Sequence, residues 1–326
     1  MEITGLASYA VFFATIAGIY AVLALGLNMQ WGYTGMLNIG VGGFFAVGAY
    51  ASAIVTSSAN PNHLGGFEMP FLVGVAAAIV CSGVVAFLIG LITLNLRGDY
   101  LAIATIGIAE IIRLLFKTEA WLTNGVRGIA GIPRPLAGIV PGADGLLFMG
   151  LVLVWIAIVY WVLERAYRSP WGRVLRAVRE DEPATLAAGK HVLLFRLQAF
   201  TVGSMCMGLA GALYAHFVSF ISPEAFTPEF ATFLVWAMLI AGGSGNNRGA
   251  VLGAFAIWLV WSGTEFVSGQ LPEAWVTRAG ALRILLIGVL LQVILIWRPQ
   301  GLLPERPPKP VPAPRSKPVN STARRP

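Results

Sequence analysis

Charge is what this sequence has least of. Asp, Glu, Lys and Arg make up 11% of its 326 residues, under half the share typical of soluble domains, too little to clothe a water-facing surface. Cysteine is nearly as scarce. Cys81 and Cys206 lie in separate apolar runs, which excludes a disulfide framework and any CxxC metal or redox site, so both read as packing residues. His216, in "LYAHF", has no second histidine or cysteine near it, and a buried, hydrogen-bonded side chain is preferred to a metal ligand. Neither GxxxxGKS nor GxxxxGKT occurs; "GGSGNNRG" (242–249) has the glycines without the lysine and hydroxyl, so no nucleotide chemistry and no catalytic residue is assigned. The N-terminus "MEITGLASYAVFF" lacks a basic segment and its apolar run to Leu27 exceeds a signal peptide's core, so that run is expected to be retained. Nothing in the pattern asks for a cofactor, a metal or a nucleic-acid partner.

What is abundant is apolar length. Hydrophobic residues form 57% of the chain, mean hydropathy is +0.77, and apolar runs repeatedly exceed the roughly 17–25 residues that cross a bilayer. Spans are expected at 8–27, 38–57, 70–94, 100–117, 146–164, 195–218, 230–241, 249–269 and 280–298. The fold class is an all-α integral membrane protein, a polytopic helical bundle of about nine spans (8–10). The run 100–117 carries Glu110 and Arg113, and 230–241 is too short to cross unaided; either reads as a half-helix. No stretch between runs is long enough to bury its own core, so residues 1–303 form one transmembrane domain. Residues 304–326 hold eight prolines and six Lys or Arg in 23 positions and form a disordered tail, solvated or held near anionic headgroups.

Basic residues set the orientation, because Lys and Arg accumulate in cytoplasmic loops. Of 22, seven lie between Arg165 and Arg196 and seven between Arg298 and Arg325. This puts the C-terminus in the cytoplasm and the N-terminus and stretch 118–145 outside. The cytoplasmic loop 165–194 carries signals for two short helices. Ser169-Pro170 opens the first, with Trp171, Val174, Leu175 and Val178 as an apolar stripe and Arg173, Arg176 and Arg179 beside it, directed at lipid phosphates. The second runs from Pro183 to Ala188, preceded by Glu180, Asp181 and Glu182 and stopped by Gly189. A basic cytoplasmic loop is common to polytopic proteins; a helix with small Ala184, Ala187 and Ala188 can alternatively fit a groove in a partner.

"EPATLAAG" (182–189) resembles the EAA-type coupling loop of ABC importer permeases, which docks into the ATPase subunit, with Pro183 and Thr185 as departures from the pattern. The Leu-Pro that often follows that loop is missing. Wider resemblance comes from "LGLNMQWGYTGMLNIGVGGFFAVGAYASA" (25–53), "LRGDYLAIATIGIAEIIRLLF" (96–116), "SPWGRVLRAVREDE" (169–182), "LAGALYAHFVSFISPEAF" (209–226), "GGSGNNRGAVLGAF" (242–255) and "WRPQGLLPE" (297–305). Together these are similar to the LivM-type permease of branched-chain amino acid ABC importers; "LRGDYLAI" separates this type from its LivH-type relative. The resemblance implies a heterodimer with a LivH-type permease, two ABC ATPase subunits, a soluble solute-binding protein and the bacterial plasma (inner) membrane. It also implies an ATPase-coupling role for Glu180, Asp181, Glu182, Ala184, Ala187, Ala188 and Gly189. Permeases for urea and short amides carry similar motifs.

Ionisable groups inside spans cost about 2.5–3.5 kcal/mol each at mid-helix, which makes them functional candidates. Glu110 and Arg113, three apart, read as a neutralising pair or as part of a solute path. Glu265 and Arg283 are expected to reach the interface. The segment 28–38 sets Asn28, Gln30, Tyr33, Thr34 and Asn38 between apolar runs, with Gly32 and Gly35 allowing a bend; it lines the translocation path or forms an ordinary polar turn. Gly249-x-x-x-Gly253, Gly74-x-x-x-Ala78 and Gly208-x-x-x-Ala212 read as helix-packing motifs. A rival class is the ion-coupled secondary transporter, for which Glu110 and Glu265 are the available carboxylates.

Overall fold

Helices run through almost the whole of the computed structural model, which describes residues 2–61, 63–96, 98–140, 142–268 and 273–305. Arg97 and residues 306–326 lie outside the described residues, as do the side chains of Glu265 and Arg283. The long helices are α1 (Glu2–Thr34), α2 (Val41–Thr56), α3 (Phe71–Thr93) and α4 (Asp99–Thr118). A single turn, α5 (Ala120–Thr123), and a two-residue strand β1 (Ile129–Ala130) precede α6 (Asp144–Arg168). The charged segment forms α7 (Pro170–Glu180) and α8 (Glu182–Ala187), and α9 (Val192–Val218) follows. Strand β2 (Phe220–Ile221) pairs antiparallel with β1, Ile129 opposite Ile221. A wide π-helical turn, Glu229–Phe233, leads into α10 (Leu234–Gly242), then α11 (Asn247–Ser268) and α12 (Glu273–Trp297).

Four helices, Ala7–Thr34, Phe71–Thr93, Asp144–Arg168 and Val192–Val218, are long and apolar enough to cross a membrane, by length and composition, among the described residues. Val41–Thr56 and Glu229–Gly242 are apolar but shorter. The first expected span ends too early. Helix α1 runs through the polar residues and Gly32 to Thr34, and the break comes at Gly35, whose φ of +70° stops the helix. This leaves 35–40 as an irregular segment, turned tightly where Asn38 N donates to Met36 O.

The centre is built from α1, α2 and α9. From Ile16 to Gln30 every residue of α1 is buried, and the helix packs against α6, α9, α10 and α11. Helix α9 packs against α1, α2 and α3. Small residues set these approaches. A Cβ on Gly211 would lie 2.6 Å from the Ala49 amide nitrogen, one on Gly48 would meet the Gly208 backbone at the same distance, and one on Gly253 would come within 2.7 Å of Gly242. Gly74 faces Ser52 and Thr56 of α2 in the same way. All three expected packing motifs therefore sit at helix crossings. By contrast α3, α6 and α12 leave Leu88, Ile92, Val154, Trp161, Leu285 and Val289 exposed, as surfaces for lipid or another subunit must be.

His216 is fully buried; its ring nitrogens lie 3.0 Å from Ser52 Oγ and 2.7 Å from the Pro133 carbonyl oxygen. No cluster of three or more His, Cys, Asp or Glu side chains fit to hold a metal occurs among the described residues. At Gly211 an added side chain overpacks the α2–α9 crossing, so Gly211→Leu is expected to destabilise the purified protein by about 1–3 kcal/mol. Gly150→Leu, where a Cβ meets nothing within 4 Å, is the control. Equal melting temperatures for the two variants in detergent would contradict this packing.

Candidate functional site

Helices α7 and α8 lie at the end of the bundle where α1 and α10 finish and α9 begins. Ser169 Oγ accepts from the Gly172 amide, Pro170 occupies the first turn, and Leu175 and Val178 are buried. The second helix starts one residue before the expected Pro183. Asp181 is its N-cap, Oδ1 accepting from the Ala184 amide at 2.9 Å, and Gly189, at φ +77°, closes it while Gly189 N donates to Leu186 O and Lys190 N to Thr185 O. Ala184, Ala187, Ala188 and Leu186 are exposed, and Ala184 and Ala188 join Val174, Ala177, Glu180 and Lys190 around an open groove of about 650 Å³ between the helices. Glu182 points inward, 3.9 Å from Arg196 Nη1, and joins α8 to α9 instead of facing outward with Glu180 and Asp181.

The three arginines of α7 do not share one direction. Arg173 is exposed, but Arg176 lies over the Tyr167 ring, 4.4 Å from its centroid. Arg179 turns into the protein. Its guanidinium donates to the Gly32 carbonyl, to Glu305 Oε2 at 2.8 Å and to Glu180 Oε1 at 2.8 Å. Burial acts to lower the Arg179 pKa, but the hydrogen bonds to Glu180 and Glu305 outweigh it and hold the guanidinium above its ordinary value. Tyr167 OH donates to Glu305 Oε1 at 3.1 Å. Pro304 and Glu305, expected in the tail, thus belong to the bundle: Asn246 Nδ2 donates to Pro304 O, and the Leu302 and Leu303 amides donate to Ala241 and Gly242.

Behind this face lies a lattice of buried amides. Asn28 Nδ2 donates to Asn247 Oδ1 (3.0 Å), Tyr33 OH donates to the same oxygen (2.7 Å), and Asn247 Nδ2 donates to Glu164 Oε2 (3.1 Å). Asn28 Oδ1 accepts from the Gly245 amide at 2.8 Å. Gln30 Nε2 donates to Phe200 O and Ser204 Oγ on α9, and its Oε1 accepts from Asn38 Nδ2 at 2.7 Å. Asn38 Oδ1 accepts from the Gly40 amide, Asn38 O from Trp236 Nε1, and Thr34 Oγ1 donates to Gln30 O. The side chains of 28–38 therefore bond to α9, to the 245–247 stretch and, through Asn38, to Gln30 and the irregular segment after Gly35. Asn28, Gln30 and Asn38 are wholly inaccessible in this conformation. Asn247, which with Ser244 and Asn246 gives "GGSGNNRG" the same two readings as 28–38, path lining or polar turn, is the central partner here; Glu164 carries no signal in the sequence that points to it.

A charged ladder runs along the exposed side of α4. Arg113 donates to both oxygens of Glu110, at 2.9 and 2.5 Å, and lies 3.5 Å from Glu224 Oε2; Lys117 Nζ donates to Glu224 Oε1 at 2.7 Å. That Lys117 hydrogen bond holds the Glu224 carboxyl below its usual range. Glu110 lies eleven residues into α4, about 16 Å along the axis, close to the middle of a bilayer-length helix. Its side chain is 37% accessible there, next to exposed Ile103, Ile111 and Leu114.

A bundle of apolar helices with a polar, capped excursion on one end and a charged stripe along α4 is the architecture of a helical membrane protein. Residues 9–295 match the family described as branched-chain amino acid transport system / permease component, and the chain belongs to that family. It is 34% identical over 314 residues to the high-affinity branched-chain amino acid transport system permease protein LivM of Salmonella typhimurium, covering 89% of this chain and 69% of that protein. The probable LivM of Methanocaldococcus jannaschii is 30% identical over 328 residues, covering 89% and 92%. A LivH permease of Escherichia coli is 22% identical over 255 residues, covering 74% and 80%. No solved structure matches.

Removing a member of the lattice strands its partners where water cannot reach them. Asn247→Ala leaves Tyr33 OH and the Asn28 amide without their acceptor and should cost about 1–3 kcal/mol per orphaned group. Arg248→Ala, at an exposed hydrogen bond to Tyr160, should stay within about 0.5 kcal/mol. Thermal melts in detergent that rank the two variants equally would refute the lattice's role.

Proposed function

We propose that this chain is the membrane permease subunit of an ATP-driven importer of branched-chain amino acids, resident in the bacterial plasma membrane. The observation that carries the reading is the capped α7–α8 excursion, whose small exposed residues and groove offer a socket surface at one end of a bundle that belongs to a transport-permease family. Ala184, Ala187 and Ala188 meet an ABC ATPase, with Glu180 and Asp181 beside them and Gly189 closing the helix; Glu182 sets the angle of α8 through Arg196. Hydrolysis is done by two such ATPase subunits, and a soluble binding protein delivers solute to the opposite end.

Nine passes, alternating in direction from α1 to α12 with the π-turn and α10 as a shortened one, agree with the basic-residue count: C-terminus in the cytoplasm, N-terminus outside. A LivH-type permease covers the exposed face of α4. An accessible ion pair at mid-bilayer facing lipid would be costly, and a partner that closes over Glu110 and Arg113 turns the stripe into one wall of a polar path. The amides of 28–38 then serve that path as its frame, fixing the irregular segment between α1 and α2.

The test is uptake. Purified with its native neighbours and reconstituted in vesicles, the protein should take up leucine when ATP and the binding protein are present, with isoleucine and valine competing and urea and acetamide failing to compete. Uptake by this chain alone, driven by an ion gradient, would overturn the reading in favour of a secondary transporter. Gly189→Pro forbids the left-handed conformation at the end of α8 and should reduce ATPase co-purification roughly tenfold while membrane insertion stays normal. Undiminished co-purification would remove α8 as the docking helix.

A further inference from the structure

The C-terminal stretch "WRPQGLLPE" has no part in docking or in the path as described, yet it ends in the carboxylate that Arg179 grips. Arg179 is the penultimate residue of α7, two before the Asp181 cap of α8. Its guanidinium reaches three chain segments at once: Glu180 on its own helix, the Gly32 carbonyl in the last turn of α1, and Glu305. Glu305 uses both oxygens, one for Arg179 and one for Tyr167 of α6.

Two left-handed glycines leave space for this pair. A Cβ on Gly35 (φ +70°) would stand 3.2 Å from Arg179 Cγ, and one on Gly245 (φ +83°) would stand 2.8 Å from Glu305 Oε2. Gly301, at φ +77°, turns the chain so that Leu302 and Leu303 donate to the last carbonyls of α10. Gly245 in turn donates to Asn28, one helical turn before Gly32. The ends of α1, α6, α7 and α10 and the start of α11 therefore meet around one arginine–carboxylate pair.

We infer that Arg179 and Glu305 form a clamp that carries motion of α7–α8 to the break between α1 and α2 and to the 241–247 turn, making both positioning residues for coupled transport. The inference rests on the proposed ATP-driven import. Neither residue touches solute or nucleotide. A push on α8 reaches α7 through Asp181, and the Arg179 fork binds that motion to Gly32 and, through Glu305, to the α10 end, so the three segments shift together. Without the clamp the ATPase still docks on α8 and still hydrolyses ATP, but α7 moves without the membrane helices.

The experiment uses the whole complex in vesicles with leucine, binding protein and ATP, and measures hydrolysis, uptake and subunit recovery for Arg179→Gln, Glu305→Gln, the double variant and Tyr167→Phe. Each of the first two should raise ATP consumed per leucine moved by roughly fivefold or more at unchanged subunit recovery. The double variant should be no worse than Arg179→Gln alone, because that substitution already removes the Arg179–Glu305 link. Tyr167→Phe, which keeps the charges, should shift the ratio the same way by less, and serves if Arg179→Gln fails to assemble. An unchanged ratio in the single variants, or hydrolysis and uptake falling in proportion, overturns the clamp while leaving ATP-driven import standing. A wild-type complex that moves leucine without ATP overturns import and clamp together.

Discussion

A helix that stops near the end of a bundle leaves backbone amides and carbonyls without helical partners, and those that are buried must find one in the protein. The break after Thr34 is such an end, and much of this molecule is arranged around it. Gly35 supplies the turn, Asn38 and Thr105 take up the amides of Gly40 and Ile39, Thr232 takes that of Gly42, and Trp236 donates to the Asn38 carbonyl. Those partners come from α4, the π-turn and α10. Several elements far apart in sequence are thereby fixed to one another by a single discontinuity in the backbone.

The same discontinuity gives the excursion something to act on. A continuous helix of bilayer length would present α7 with a rigid rod; a helix that stops near the bundle's end presents a carbonyl, Gly32 O, and a short non-helical segment. Arg179 takes that carbonyl, and the asparagine lattice lies one turn deeper. The charged segment thus has two surfaces with different work. Its outer surface is small and apolar, with carboxylates at the helix start, and suits a protein groove. Its inner surface is ionic, joined to α1, α6 and the residues after α12. Arg179 and Glu182 read as outward-facing charges in a linear sequence because neighbours there are counted along the chain, while their partners, Gly32, Glu305 and Arg196, are 147, 126 and 14 positions away.

The legible part of the sequence was what is local. Ser169-Pro170, the acidic start of α8 and Gly189 fix their helices through bonds spanning three to five residues, and both helices are found within a residue of where those rules put them. The small-residue motifs located the α2–α9 and α10–α11 crossings, since close approach in lipid depends on side-chain size. Helix α1 was cut short because Asn28 and Gln30 lower the local hydropathy, although buried amides with partners are as compatible with a helix as leucines are. Glu164 is illegible for the converse reason: a charged residue near a helix end looks solvated until its partner from another helix, here Asn247, is known. The proposed solute and subunit partners rest on family resemblance, since no local rule supplies them.

At the centre of this account is the claim that the excursion and the α1 break move as one body. Spin labels on Ala187 of α8 and Leu37 of the segment between α1 and α2, with a reference label on Leu146 at the far end of α6, would report it in the assembled transporter with and without ATP. The account predicts that the Ala187–Leu37 distance stays constant while distances from both to Leu146 change together. A change in the Ala187–Leu37 distance as large as that between Ala187 and Leu146 would contradict it.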